Sequence, residues 1–125
     1  MTEKDIYAHL HYIFENELSE FPSGMGYFLG DGNEDIFIVY LPYDDDVSSI
    51  ADDDIKEITY RLKIDIIARN GKSFSQAEKR VKEVFKSHGF MYQNGEMSVD
   101  TKEPYDYHRI LNYNIHQYFD DIENI

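Results

Sequence analysis

Residues 57–89 read EITYRLKIDIIARNGKSFSQAEKRVKEVFKSHG, a stretch that predicts a long strand followed at once by a helix. In its first part, apolar and polar residues alternate from Ile58 to Asp65. Such alternation indicates a strand, here over 56–68, with one buried face and one face turned to water or to a partner. No catalytic set of residues accompanies this pattern, so it indicates a structural or assembly module.

The second part of the stretch predicts a basic helix over 75–88. Ser73 or Ser75 can cap its start, because each is followed three residues later by Gln or Glu. Gly89 stands where a left-handed C-terminal cap is expected. The buried side of this helix would consist of Ala77, Val81, Val84 and Phe85.

The remaining segments complete one α+β domain spanning residues 1–125. They are predicted to be a helix over 3–18, a hairpin of strands over 25–30 and 35–41, a short strand over 90–93 turned by Asn94-Gly95, and a last strand over 105–118. The element order α-β-β-β-α-β-β predicts a single, mostly antiparallel sheet with two helices packed on one face.

Two acidic segments stand outside this scheme. Residues 42–55 contain Asp44-Asp45-Asp46 and Asp52-Asp53-Asp54, and we expect them to form a long loop that projects from the sheet. The tail over 119–125 is polar, and we expect it to be frayed.

Composition limits the classes of function. The net charge of −13 makes tight DNA binding a poor hypothesis, because such binding depends on Lys and Arg neutralising phosphates. The absence of cysteine fits a reducing compartment, and no apolar run reaches the roughly 18 residues that a membrane span needs. We therefore expect a protein made and used in a cytoplasm, without a membrane partner.

The sequence predicts no catalytic, cofactor-binding or metal-binding residues. Calcium loops starting at Asp31 or Asp44 lack the required Gly and Glu. The five histidines have no zinc-site spacing and are expected at surfaces or strand edges. Gly71-Lys72-Ser73 resembles the end of a phosphate-binding loop, but the upstream glycine is replaced by Ile66.

The charges themselves are unevenly distributed along the chain. Basic residues concentrate around the second helix, and acidic residues concentrate at 31–54 and 120–123. Such a molecule can associate head to tail with its own copies, although ordinary charge pairs on an exposed helix would give the same pattern. The candidate subunit-interface residues are Lys79, Arg80, Lys82, Lys86, Arg61, Lys63, Asp44, Asp45, Asp46, Asp52, Asp53 and Asp54.

The chain resembles the tail terminator (tail-completion, head–tail joining) proteins of long-tailed bacteriophages and prophages. The resemblance covers roughly residues 25–118. It is carried by the strand over 57–68, by the helix that ends in Gly89-Phe90, and by a last strand opening with Tyr107-His108-Arg109. It is a pattern of architecture with scattered residues rather than an active-site motif.

This resemblance implies a non-enzymatic protein that assembles as a ring, commonly a hexamer. The ring would cap the tail tube, end its polymerisation and bind a head-completion or connector protein, while DNA passes through the lumen without specific binding. The expected location is the virion, at the head–tail junction, and the host bacterial cytoplasm during assembly. The alternatives are another phage neck or connector protein, a small acidic binding module or inhibitor, and a metal-dependent hydrolase built on the Asp clusters.

Overall fold

A computed structural model gives the fold, and it describes residues 6–30, 32–51, 54–98, 101 and 103–118. Helix α1 continues directly into a π-helical segment, and five strands and a second helix follow. Their bounds are α1 Ile6–Tyr12, the π-helical segment Ile13–Glu17, β1 Ser23–Met25, β2 Ile36–Ala51, β3 Asp54–Ala68, α2 Gly71–Ser87, β4 Met91–Met97 and β5 Tyr107–Tyr118.

The five strands form one mixed sheet in the order β1-β2-β3-β5-β4. The pairs β2–β3, β3–β5 and β4–β5 are antiparallel, and β1 runs parallel to β2. The predicted α+β class is therefore confirmed, with one parallel pair in the sheet and a π-helical segment added to the element order.

The hairpin predicted from strands 25–30 and 35–41 is wrong. Strand β1 is only three residues long and pairs in parallel with β2, with Ser23 opposite Ile38. The chain turns away at Gly26, whose φ of 78° lies in the region that favours glycine. Residues 26–30 and 32–35 then lead back to the start of β2, so that the two strands point the same way.

The long acidic loop predicted over 42–55 is also wrong. Strand β2 continues through Pro42 to Ala51 and pairs with β3 along its length, apart from irregularities beginning at Pro42. Like charges oppose compaction, but here backbone pairing with an uninterrupted β3 outweighs that repulsion. Residues 52–53 of this predicted loop and the tail predicted over 119–125 lie outside the described residues.

The hydrophobic core lies between the sheet and the two helices. Alternate residues of β3, among them Leu62, Ile64 and Ile66, are 0% exposed, as the alternating sequence predicts. Strand β2 contributes Tyr40, whose ring stacks on that of Phe14 with centroids 4.1 Å apart. The helix side of the core consists of Ile6, Leu10, Ile13, Phe14, Phe74, Ala77, Val81, Val84 and Phe85.

The first helix differs from a regular α-helix at its end. The N–H of Leu18 donates to the carbonyl oxygen of Ile13 at 2.9 Å, which is the wider i→i+5 hydrogen bond. Because a π turn holds more residues than an α turn, Leu18 returns to the buried side together with Ile13. Both side chains are 0% exposed, so the wider turn increases burial. Residues 3–5 of the predicted helix lie outside the described residues.

Helix α2 begins earlier than the sequence predicts. Asn70 is the N-cap, because its side-chain oxygen accepts a hydrogen bond from the N–H of Ser73 at 2.8 Å. The proposed caps Ser73 and Ser75 are thus inside the helix. The predicted end is confirmed: Gly89 has a φ of 83°, and its N–H donates to the carbonyl oxygen of Lys86 at 3.1 Å.

Strand β4 runs through Asn94-Gly95, which the sequence predicts to be a turn. An added Cβ at Gly95 would lie 2.5 Å from the Tyr92 hydroxyl and 2.8 Å from a guanidinium nitrogen of Arg109. Glycine at this position therefore permits a close approach of neighbouring side chains rather than a reversal of the chain.

The other face of the sheet carries no helix among the described residues. Two connecting segments cover one end of it: Phe28 stacks on Phe37 at 5.0 Å, and Tyr105 meets Phe37 edge-on at 5.2 Å. The Tyr105 hydroxyl donates to the carbonyl oxygen of Glu34 at 3.0 Å, which fixes the second segment. We refer to the uncovered remainder as the open face.

Candidate functional site

The described candidate interface residues lie on the surface of the protein or are paired within it. Within the described ranges, no three side chains of His, Asp or Glu lie together in a way that could hold a metal ion. Asp44 and Asp46, part of one predicted acidic cluster, instead accept hydrogen bonds from Arg61. The candidate interface residues therefore have to be judged by their exposure and their partners.

The acidic arm is the outer part of the β2–β3 hairpin, residues 43–51 and 54–61. Asp45 lies opposite Tyr60, whose side chain packs against the core, so Asp45 points to the helix-bearing side of the sheet. Val47, two residues further along the strand, shares that side. Val47 is nevertheless 48% exposed, so the described helices leave this part of the arm largely uncovered.

On the other side of the acidic arm, away from the helices, Arg61 forms ion pairs with two aspartates. Its guanidinium donates to the Asp44 carboxylate at 3.0 Å and also to the Asp46 carboxylate. The hydrogen bond and charge of Asp46, followed by those of Asp44, raise the pKa of Arg61. Three of the predicted interface residues are thus paired within one copy, where Arg61 offsets one of the two negative charges. Asp45, which points to the helix side, takes no part in this cluster.

Lys82 of α2 is engaged inside the molecule. Its ammonium donates to Glu78 at 2.8 Å and lies 4.8 Å from the centre of the Tyr92 ring. The same Glu78 carboxylate pairs with Arg109 of β5 at 2.8 Å. These contacts join α2 to β4 and β5, so Lys82 has a structural role within the subunit.

Arg80 is likewise engaged within one copy. Its guanidinium donates to the carbonyl oxygen of Glu17 at 3.0 Å, at the end of the π-helical segment. It also pairs with Glu20 at 3.6 Å and with Glu83 at 3.8 Å. Arg80 thereby links the first helix to α2 and forms ion pairs with two carboxylates.

Lys79 differs from Arg80 and Lys82 of the same helix in its lack of ion pairs within the described part of the chain. It is exposed, and no residue of the described ranges forms an ion pair with it. It stands at the rim of an open groove of about 510 Å³ beside the start of β2, which we call the Lys79 groove. The groove is lined by Glu20, Phe21, Ile36, Ser73, Gln76, Lys79, Arg80 and Glu83.

The remaining predicted interface residues are scattered. Lys86 is exposed near the C-terminal end of α2, and Lys63 lies on the open face, opposite Leu41 of β2. Asp52 and Asp53 lie outside the described residues, as does the side chain of Asp54. The structure therefore does not bring the twelve predicted residues into one site.

A second groove of about 160 Å³ contains three histidines, which the sequence predicts at surfaces or edges. That prediction is wrong for His9, which is only 7% exposed. Its Nε2 lies 3.1 Å from Nδ1 of His88, and Nε2 of His88 contacts the Glu17 carboxylate. His116 lines the same groove and shares a hydrogen bond of 2.7 Å with Thr59. His9 and His88 are 79 positions apart, so their spacing gives no signal in the sequence.

Two buried tyrosines have altered acidity. Burial, and to a smaller extent the charges of Tyr92 and Glu78, raise the pKa of Tyr113. Burial, followed by the charge of Glu15, raises the pKa of Tyr40. The Tyr113 hydroxyl is buried and finds no hydrogen-bond partner among the described residues. Both groups belong to the core and not to an exposed site.

The open face carries paired polar groups. His108 Nε2 and the Asp65 carboxylate are 2.9 Å apart, and the Asn112 amide donates to Asn94 at 2.7 Å. These pairs lie across neighbouring strands, where such contacts stabilise the sheet. The open face therefore presents paired polar side chains in the neighbourhood of Lys63.

Comparison with protein-family models gives no match, and a search of curated proteins finds no similar sequence either. In the described part of the chain, neither helix has the length and apolarity needed to cross a bilayer. Functional assignment therefore depends on the surfaces described above and on the architectural resemblance found in the sequence.

Proposed function

We propose that this chain is a non-enzymatic assembly protein that associates head to tail with its own copies into a ring. The observation that carries the proposal is the placement of two unlike surfaces at opposite ends of β2. The Lys79 groove borders Ile36, where the strand begins, and the acidic arm starts at Tyr43. Two different surfaces on one molecule favour heterologous contacts, which close into rings when the rotation between copies permits.

The architectural resemblance adds the biological setting to this proposal. The ring, commonly a hexamer in the similar family, would cap a phage tail tube, stop its growth and join it to a head-completion or connector protein. A net charge of −13 supports passage of DNA through the lumen without retention, because few phosphates would find a cation. The protein would act in the host cytoplasm during assembly and remain at the head–tail junction of the virion.

The test is to measure assembly directly. Light scattering over a wide range of protein concentrations should show a multiple of the monomer mass, and electron micrographs should show rings with a central hole. A second arm of the experiment adds purified tail tube protein while the tubes are growing. We expect shorter tubes of narrower length distribution, with this protein located at one end.

The result that would contradict the proposal is a monomer at all concentrations, both alone and with tail tubes. If that monomer instead bound a basic DNA-binding protein, the inhibitor alternative would replace the ring. The pairing of Asp44 and Asp46 with Arg61 speaks against that alternative, because it cancels part of the charge that a DNA mimic would present.

A further inference from the structure

We infer that the acidic arm of one copy docks into the Lys79 groove of the next copy, with Asp45 pairing with Lys79 and Val47 resting on Phe21 and Ile36. The inference rests on the proposed self-assembly and names the interface that would carry it. Its first support is charge. Asp45 and Lys79 are both exposed, and neither has an ion-pair partner among the residues that the structure describes.

The other charged groups of the groove are two carboxylates and one guanidinium. Glu20 and Glu83 also line it and would repel an incoming aspartate. Both carboxylates lie within 4 Å of the Arg80 guanidinium, at 3.6 and 3.8 Å respectively. Arg80 offsets one of these two negative charges, and Lys79 brings the groove to neutrality. Lys79 is nevertheless the cation of the groove that has no ion-pair partner among the described residues, and an acidic side chain is its complement.

Apolar surface is complementary as well. Phe21 and Ile36 are only partly buried and pack against the core from the side of the groove. On the acidic arm, Val47 is 48% exposed although it points to the same side of the sheet as Asp45. Residues two apart on a strand are about 7 Å apart, a distance that a flexible lysine can cover from the rim. One strand segment can thus present both groups to the groove.

The two surfaces cannot meet within one molecule. Asp45 lies nine positions after Ile36 on β2. At the rise of an extended strand they are roughly 30 Å apart, and the strand between them is held by β3. Any contact between acidic arm and groove is therefore made between copies, and each copy offers one of each, as head-to-tail closure requires.

The experiment reverses the two charges separately. Lys79→Glu and Asp45→Lys should each weaken self-association about tenfold or more, because each places like charges in contact. Circular dichroism should match wild type, since both side chains are exposed and the fold of the monomer does not depend on them. Lys86→Glu, an exposed lysine of the same helix outside the groove, and Asp106→Lys are the matched controls, and both should assemble as wild type does.

The decisive measurement mixes the two charge-reversed variants in equal amounts. In the mixture, the unaltered arm of the Lys79→Glu variant can enter the unaltered groove of the Asp45→Lys variant. The reversed arm of the Asp45→Lys variant can likewise enter the reversed groove of the Lys79→Glu variant, again with opposite charges in contact. Assembly should therefore return, in rings where the two variants alternate, although neither variant assembles alone. The mass of the mixture by light scattering reports this return.

Other outcomes overturn the inference in distinguishable ways. If wild type forms rings and both single variants form them equally well, the interface is wrong while the proposed function stands. If both singles fail and their mixture also fails, the pairing of position 45 with position 79 is wrong. If wild type stays monomeric with and without tail tubes, the proposed function fails and takes this interface with it.

Discussion

Strand β2 has two halves that share β3 as a pairing partner but differ in their surroundings. In its first half Ile38 is 0% exposed, lies beneath the helices and has β1 beside it. In its second half Val47 is 48% exposed, although it too points to the helix-bearing side. Both halves pair with β3. The comparison teaches that cross-strand pairing determines where β2 is a strand, while the helices determine where it is buried.

The largest expected effect comes from truncating one side chain in each half. Ile38→Ala should lower the free energy of unfolding by about 2–5 kcal/mol, because it leaves a cavity in the core. Val47→Ala should change it by less than about 0.5 kcal/mol. Urea unfolding of both variants measures the difference, and equal losses would mean that the arm is buried in the monomer.

A smaller effect on stability is expected at the start of helix α2, which covers the first half of β2. Asn70→Ala should lower the free energy of unfolding by about 1 kcal/mol, because the N–H of Ser73 loses its acceptor. Ser75→Ala is the control suggested by the sequence, and it should change stability by less than about 0.5 kcal/mol. Thermal unfolding compares the two variants. A larger loss of stability for Ser75→Ala than for Asn70→Ala would mean that Ser75 is the N-cap.

A gain in stability of similar size is expected when the hydroxyl of Tyr113, a tyrosine of the core, is removed. Tyr113→Phe should raise the free energy of unfolding by about 1 kcal/mol at neutral pH, because it removes a buried hydroxyl that lacks a partner among the described residues. Tyr43→Phe, at a side chain that is 52% exposed, should change it by less than about 0.5 kcal/mol. A loss in the Tyr113 variant would show that the hydroxyl is hydrogen-bonded after all.

Ionisation of Tyr113 also makes the free energy of unfolding depend on pH. Folding raises the pKa of Tyr113, so above the unfolded value of about 10 the unfolded chain loses this proton more readily than the folded protein does. The free energy of unfolding therefore stays level below that value and falls as pH rises above it. Wild type should therefore lose stability in alkaline solution more steeply than Tyr113→Phe does. Unfolding curves between about pH 8 and about pH 11 measure the difference in slope.

The smallest effect is local to the acidic arm. Arg61→Gln should leave the main unfolding transition unchanged, since Arg61 and its two aspartates are exposed. Amide exchange in residues 43–47 should nevertheless become faster, because Asp44 and Asp46 then repel each other without a cation between them. Lys63→Gln is the control on the same strand, and it should leave exchange in the arm unaffected.

Local pattern predicts most of this fold. The alternation from Ile58 to Asp65 gives β3 correctly, and the helical repeat with Gly89 gives α2 and its end. These signals are strong because burial and backbone geometry are encoded within a few neighbouring residues. The α+β class follows from the element types alone.

The errors come from partners that are distant in sequence. The aspartates over 44–46 indicate a loop when they are read alone. In the structure, Arg61, at least fifteen positions away, faces two of them. Asn94-Gly95 indicates a turn until Arg109 and Tyr92 are found to approach the glycine. In the candidate site, the sequence alone shows the basic helix. The internal pairing of Lys82 and Arg80, which separates them from Lys79, depends on tertiary contacts.

The shortness of β1 has a consequence for solubility. It pairs with β2 only as far as Tyr40, so from Leu41 onward that edge of β2 has no neighbouring strand among the described residues. Exposed strand edges recruit other chains and start fibres unless something obstructs them. Pro42 lacks an N–H to offer, and Asp44, Asp45 and Asp46 repel an approaching strand of the same kind. The acidic run that interrupts the apolar pattern thus opposes aggregation through this edge of β2 at high protein concentration.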